Sequence, residues 1–245
     1  MDKGRDASHA AKAAEPRRSA RRAAFPGGRL ETVSESGEVS RGNLLAAAAR
    51  AFMENGFAAT SIDDVAKRLG ATKGLVYHHY RSKNDLFFDV CRRGMEIDFE
   101  AILPHAQLRE RAITRLRRMC VAHVTTMMEK LEYQLVIMEG VSIHLAGPSN
   151  PEDRETLSAL IAERDRYERL FRDTLGAAVS EGDVSATIDP STAIKALLAA
   201  INSPVFWYRP REDETPEARA TIARDLSVFA LRGAGADATI LEEEF

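Results

Sequence analysis

The chain has 245 residues, 44% hydrophobic and 29% charged, with a formal net charge of −3. This is the balance of an ordinary soluble globular protein with room for one large domain or two small ones. No apolar run reaches the roughly 18 residues of a membrane span, and the pairs Arg17-Arg18 and Arg21-Arg22 precede a polar stretch rather than the apolar core of an export signal; a cytoplasmic location is expected.

Charge is unevenly placed. Residues 41–83 hold seven Lys/Arg against three Asp/Glu, whereas residues 84–245 hold 19 against 28. A short positive segment on an acidic chain suits a compact phosphate-binding module. Cys91 and Cys120 sit inside helical patterns without metal-ligand spacing and read as buried free thiols.

Residues 1–38 are rich in Ala, Arg, Gly, Ser and Glu with no sustained apolar period, and are expected to be a disordered tail. From Ser40 onward nearly everything reads as helix, which makes the fold class all-α. Leu44, Leu45, Ala48 and Phe52 recur at helical spacing, and Gly56 supplies a stop.

The stretch Ala59–Leu86, ATSIDDVAKRLGATKGLVYHHYRSKNDL, carries the chemistry. Ser61 caps a helix whose third residue is Asp64, near to a capping box. Ile62, Val65, Ala66 and Leu69 form its inner face, and Gly70 ends it. Thr72 caps a second helix in which Val76 and Tyr80 point inward; Ser82 caps a third and places Lys83 in its first turn. The second helix leaves Lys73, Leu75, Tyr77, His78 and His79 at or near the surface. A helix of this width fits the DNA major groove, where residues near its N-terminus reach base edges. Thr60, Ser61, Thr72, Tyr77 and Lys83 suit phosphate oxygens; Lys73 can donate to guanine and Leu75 can touch a thymine methyl. The His78-His79 pair does not read as a metal site, because adjacent helical residues diverge by about 100° and a chelating pair needs spacing of three or four.

These residues resemble the signature of the TetR family of transcriptional regulators: Gly56-Phe57, a Thr-Ser start, an inner Val-Ala pair, Lys-Gly-Leu-Val-Tyr-His-His-Tyr and Ser-Lys-Asn-Asp-Leu. Tyr80 stands where phenylalanine is more usual. The resemblance covers roughly 41–90, and it implies that Thr60, Ser61, Thr72, Lys73, Gly74, Leu75, Tyr77, His78, His79 and Lys83 contact double-stranded DNA. It further implies a homodimer on a near-palindromic operator, with a larger helical domain that senses a small molecule, acting as a repressor released by that effector.

Beyond the signature, helices are expected over 82–103, 106–130, 132–146, 151–181, 190–207 and 216–233. Breaks fall at Pro104 and Gly147-Pro148, and three starts carry a cap followed by proline: Asn150-Pro151, Asp189-Pro190 and Thr215-Pro216. The resulting division is a tail (1–38), a helix-turn-helix unit (39–84), an effector and dimerisation domain (85–235) and a tail (236–245).

Met119, His123, Met127, Met128, Tyr133, Met138 and His144 lie among aliphatics; they read either as core or as the lining of an apolar cavity with polar anchors. The segment Asn202–Pro210 holds the lone tryptophan, and its Trp207-Tyr208-Arg209-Pro210 resembles a segment of TetR-type regulators of fatty-acid, sterol and branched-chain acid breakdown, several of which respond to acyl-CoA thioesters. On that resemblance the effector is an acyl-CoA or related amphipathic acid; with the cavity reading, the candidate contacts are His123, Met127, His144, Asn202, Trp207, Tyr208 and Arg209. The plainer alternative is a helix end, with Trp207 and Tyr208 at a dimer interface and Arg209 complementing the helix dipole. Dimerisation is expected through Ile194, Leu197, Leu198 and Ile201 with Ile222, Leu226, Phe229 and Ala230.

Two other classes stand beside this reading. An all-helical enzyme would need a catalytic constellation, and no Ser/His/Asp or Cys/His set, HExxH, phosphate loop or cofactor motif is recognisable. A helical adaptor without DNA binding would not need the hydroxyls and the two lysines. Neither cofactor nor metal is called for.

Overall fold

A computed structural model describes residues 40–147 and 151–237. The expected tail over 1–38 and residues 238–245 of that over 236–245, together with the Pro148 break and the Asn150 cap, lie outside the described residues; Ala236 and Asp237 are held instead against Val184 and Asp183, with Ala236 buried. Ten helices are present among the described residues: α1 Arg41–Ala59, α2 Ile62–Leu69, α3 Lys73–His79, α4 Lys83–Ala106, α5 Ala112–Glu129, α6 Leu131–Ala146, α7 Pro151–Ser180, α8 Pro190–Asn202, α9 Pro204–Trp207 and α10 Pro216–Gly233. Apart from one isolated bridge between Val184 and Ala236, the described residues hold no β-structure. The chain is all-α.

Local signals place most boundaries. Ser40, Ser61, Thr72, Ser82, Asp189 and Thr215 each accept a backbone N–H three residues on, the orphan donor of a helix N-terminus. α1 breaks at Gly56 (φ 78°) before one further turn. Gly70 closes α2 in the left-handed region (φ 69°, ψ 26°), where any residue with a Cβ is disfavoured.

Three expectations differ from the outcome. Pro104 does not stop α4: it removes one rung, to the Glu100 carbonyl, and the helix ends within the same turn, at Ala106. α5 begins at Ala112 rather than 106, and its start is capped from another helix's end, Glu181 Oε2 accepting the Ala112 N–H at 2.8 Å. The expected helix 190–207 is two, because Pro204 has no N–H to continue the ladder and starts α9.

Two apolar clusters form the core. One joins Leu44, Leu45 and Phe52 of α1 with Val65 and Val76, then continues onto Leu86, Phe87 and Cys91 of α4, Tyr133 and Val136 of α6, and Leu157 of α7. Phe52, Phe57, Phe87 and Phe88 stack edge-on or tilted with centroids 4.7–6.0 Å apart. Burying a ring such as Phe52 or Phe87 contributes about 1.5–3 kcal/mol over leaving it exposed. The first half of α4 therefore packs with the helix-turn-helix and with α6 and α7 at once, so the apolar core runs unbroken through the expected boundary at residue 85.

The second cluster gathers the rest of α4 with α5, α7, α8 and α10. α4 and α6 approach closely: a Cβ on Gly94 would lie 2.7 Å from Ile137 Cδ1, so alanine there forces the Ile137 side chain to move. Cys91 and Cys120 are free and buried, and burial pushes both thiols up, away from reactivity. No helix of the described residues is long and apolar enough to cross a membrane.

Candidate nucleic-acid interface and effector cavity

The helix-turn-helix is built by its caps. Ser61 Oγ accepts from Asp64 N at 3.2 Å while Asp64 Oδ2 accepts from Ser61 N at 2.9 Å, a reciprocal capping box. The Ser61 hydrogen bonds hold the Asp64 carboxyl below its ordinary value. Val76 is fully buried and Tyr80 nearly so, which turns the opposite face of α3 outward. On that face Lys73, Gly74, Tyr77, His78 and His79 are exposed or half-exposed, Tyr77 at 47%, and Leu75 is partly covered.

Within this surface several candidate contacts already have partners. Thr60 is 2% exposed, and its hydroxyl lies 2.7 Å from the Gly56 carbonyl and 3.1 Å from that of Ala51. It therefore closes the end of α1 and offers no hydroxyl to a phosphate in this arrangement. Lys83 Nζ donates to the carbonyls of Phe57 (2.7 Å) and Ala58 (3.1 Å) and lies 4.4 Å over the Phe57 ring, leaving one ammonium hydrogen for another acceptor. Lys73 pairs with Asp63 at 3.1 Å, but both are half-exposed, so the pair exchanges readily for another anion.

Three ties bind this unit to the rest. Asp89 of α4, 6% exposed, accepts a fork from Arg41 (2.8–3.1 Å), the Tyr80 hydroxyl (2.5 Å) and Arg92 (2.6 Å). Burial pushes the Asp89 carboxyl up, but Arg41 and Tyr80 outweigh burial and hold it below its ordinary value. Glu139 of α6 accepts the Phe57 N–H at 2.8 Å, and Asn84 donates to Asp153 of α7 at 2.6 Å.

A cavity of about 380 Å³ opens between α4, α5, α6, α7 and α8. This is near the lower end of the roughly 300–1,000 Å³ usual for small-molecule sites. Methionines 95, 127 and 138, Ile137 and Leu198 make it largely apolar. Its polar groups are Asp98, His123, Gln134, Tyr167 and Asn202 within, and Arg164, Asp165, Glu168 and Lys195 toward the surface. Gln134 Nε2 donates to Asp98 Oδ1 at 2.7 Å, and His123 Nδ1 lies 2.8 Å from the Tyr167 hydroxyl. Burial raises Asp98 to about 7 against the smaller downward pull of Gln134, and it lowers His123 to about 4, so the imidazole is neutral.

Of the effector candidates, His123, Met127 and Asn202 line this cavity. His144 does not; it sits in the last turn of α6. Trp207, Tyr208 and Arg209 line a separate open cleft with Arg211, Glu214 and Thr215. There the Tyr208 hydroxyl bonds Glu214, Trp207 Nε1 donates to Ser203 Oγ at 3.2 Å, and Arg209 donates to the Tyr208 carbonyl at 2.6 Å. Val205 and Phe206 of α9 still line the cavity, and the chain leaves it from Trp207 onward. Sequence reasoning misses Asp98, Gln134, Tyr167, Arg164 and Lys195. Asp98 carries a readable signal, an acid on the inward stripe Cys91-Met95-Asp98-Ile102.

The expected dimer stripes divide. Ile194, Leu197, Ile201 and Ala230 are buried inside the subunit, and Leu198 faces the cavity. Phe229 is 70% exposed, with Ile222 and Leu226 half-covered beside it on α10.

Residues 44–90 match the model of the bacterial regulatory proteins of the tetR family, and residues 109–234 that of the tetracyclin repressor-like C-terminal domain. The HTH-type transcriptional repressor KstR2 of Rhodococcus jostii (strain RHA1) is 27% identical over 205 residues, 83% of this chain and 94% of its own. The TetR family transcriptional regulator PfmR from Thermus thermophilus superposes with a TM-score of 0.64 at 29% identity, covering 78% of this chain and 97% of PfmR. AibR in complex with isovaleryl coenzyme A and operator DNA superposes with a TM-score of 0.60 at 22% identity, over 75% of this chain and 95% of AibR.

Proposed function

The chain belongs to the tetR family of bacterial regulatory proteins, and from that premise we propose that it is a homodimeric repressor, cytoplasmic, that leaves its operator when an acyl-CoA or related amphipathic acid enters the α4–α8 cavity. It is a DNA-binding transcriptional regulator; the effector, the dimer and the direction of control are the proposed part. The observation that carries the effector is the cavity itself, apolar within and bearing Arg164 and Lys195 at its exposed rim. Neither cation forms an ion pair among the described residues. An acyl group gains from burial in such a space, and its carboxylate or thioester-linked phosphates need cationic partners outside it. Asp165 and Glu168 share the rim, but Glu168 is engaged by Arg172. AibR, similar in fold, has been solved bound to isovaleryl coenzyme A and operator DNA, and the relative KstR2 is a repressor.

The positive charge assigned from sequence to Arg209 passes in this reading to Arg164 and Lys195. Two subunits meet through α10, where Ile222, Leu226 and Phe229 form the uncovered apolar strip, and the two α3 helices enter successive major grooves. The test begins with genomic fragments selected by the protein, to define an operator. A CoA-thioester panel is then titrated against the complex with wild type, the double variant Arg164→Ala/Lys195→Ala, and Arg209→Ala. Release by thioesters that is lost in the double variant and kept in Arg209→Ala supports the reading. Release by neutral hydrophobes alone would remove the acyl-CoA and leave the family assignment standing.

A further inference from the structure

The inner end of the cavity holds more polar chemistry than a hydrocarbon tail can use. His123 is 2% exposed; its Nδ1 meets the Tyr167 hydroxyl, yet its Nε2 has no hydrogen-bond partner. Asn202, its amide nitrogen held by the Leu198 carbonyl at 2.7 Å, stands near enough to the ring to favour its protonated form slightly against burial, but Nε2 and the Asn202 side chain do not meet in hydrogen-bond geometry. Tyr167 makes no other hydrogen bond among the described residues. A buried phenol O–H donates to an imidazole lone pair when no other acceptor is offered, and a neutral imidazole has one lone pair and one N–H. Nδ1 therefore accepts, the ring proton sits on Nε2, and a buried donor faces the cavity without an acceptor. On the same cavity wall Asp98 receives Gln134 on Oδ1, leaving its second oxygen for an occupant.

We propose that the buried part of the effector carries a carbonyl or hydroxyl oxygen that accepts from His123 Nε2–H, so that the cavity selects keto- or hydroxy-acyl groups over plain hydrocarbon ones. This rests on the cavity being the effector site, as proposed above. The selectivity comes from what a plain ligand does: it seals His123 against hydrocarbon and strands the donor. A site built around a polar partner rejects the analogue lacking it more strongly than an apolar pocket rejects a wrong size. Once Asp98 is ionised, a hydroxyl can in addition donate to it, whereas a ketone cannot, so above neutral pH the two oxygen types separate by their dependence on that carboxyl.

Calorimetric titration of the full chain, without DNA, tests this with matched ligands. The probes are cyclohexanecarboxyl-CoA, its 4-oxo and 4-hydroxy counterparts, and the three corresponding methyl esters. Wild type should bind each oxygenated member at least roughly tenfold tighter than the plain one, about 1.4 kcal/mol. His123→Phe should bring the ratio near one for the 4-oxo members, while the 4-hydroxy members keep whatever part comes from Asp98, and Tyr167→Phe, which keeps the ring packing but frees the tautomer, should narrow both. Equal affinities within every set in wild type, or a 4-oxo preference that survives both variants, overturns the proposal. A preference among the esters with no thioester binding keeps the oxygen and removes CoA from the effector. No binding by any of the six overturns both.

Discussion

The Tyr80 hydroxyl donates to Asp89 Oδ2 at 2.5 Å, tying the residue that ends the recognition helix to the second turn of α4. Arg41 forks onto the same carboxylate from the start of α1. A hydroxyl in place of the phenylalanine more usual in the family thus gives α3 a polar tether as well as a packed ring.

Tyr80→Phe should keep the packing and lose the tether. The expected loss is about 1–2 kcal/mol, since hydrogen bonds to charged groups are worth more than neutral ones. Urea titration would show a lower midpoint with unchanged slope and unchanged helical signal. Asp89→Asn should cost more at neutral pH because it leaves Arg41 and Arg92 without their counter-charge. Asp89 is held below its ordinary value of 3.8 in the folded state. Its stabilisation is therefore full above that value and is lost as pH falls through the lower folded one. The gap between wild type and Asp89→Asn should accordingly close in acid; a gap independent of pH would show that the carboxylate is not the source.

Asp98 has the opposite sign. Its folded value of about 7 exceeds the ordinary 3.8, so the folded protein holds the proton more tightly and stability falls as pH rises from about 4 to 7. Asp98→Asn retains an acceptor for Gln134 and cannot ionise. It should flatten this decline and be the more stable form at pH 8, by a few kcal/mol, at ~1.4 kcal/mol for each tenfold difference in proton affinity between the folded and unfolded chain. Urea midpoints of both proteins at pH 5 and pH 8 decide it; parallel declines would disprove the assignment.

The interface and the cavity should separate by mutation. Leu226→Lys with Phe229→Glu should give a helical monomer in sedimentation that no longer holds operator DNA. Leu198→Glu, on the cavity wall, should remain dimeric and DNA-bound while losing response to effector. Reversal of these two outcomes would put the subunit contact on α8.

Operator affinity should fall steeply with salt. A dimer making about 6–10 phosphate contacts loses roughly 10³–10⁵ in affinity between 50 and 200 mM salt. Lys73→Ala should alter preference at one or two bases. Lys83→Ala should weaken all sequences alike and also lower thermal stability, because its ammonium bonds the carbonyls of Phe57 and Ala58. Unchanged stability in Lys83→Ala would argue that those bonds contribute little.

What can be read from the chain follows the range of each interaction. Ser61 with Asp64, Gly70, Thr72, Asp189 and Thr215 act on neighbours within about three residues, so their roles are visible in the order of letters. The start of α5 is not visible in this way because its cap, Glu181, is 69 residues away. The cavity has the same character: His123 and Tyr167 are 44 residues apart, and Gln134 and Asp98 are 36 apart. Helical period identifies His123 as inward-facing but not what it faces. Arg209 stands out in the sequence as a cation beside the lone tryptophan; only the folded chain shows that it lines a separate cleft.

The apolar cluster that runs from α1 through the first half of α4 to Tyr133, Val136 and Leu157 bears on anyone wishing to transplant the reading head onto another sensor. A graft ending at residue 84 would sever a shared core, baring Leu86, Phe87 and Val90 on one piece and their counterparts on the other, with the Glu139 clasp on Phe57 cut as well. The workable seam lies inside α4, beyond Cys91, and the recipient must supply its own versions of Tyr133, Val136 and Leu157. Specificity in such a chimera would travel with α3, while its obedience to a ligand would depend on how well the recipient's counterpart of α6 fits beneath Phe57.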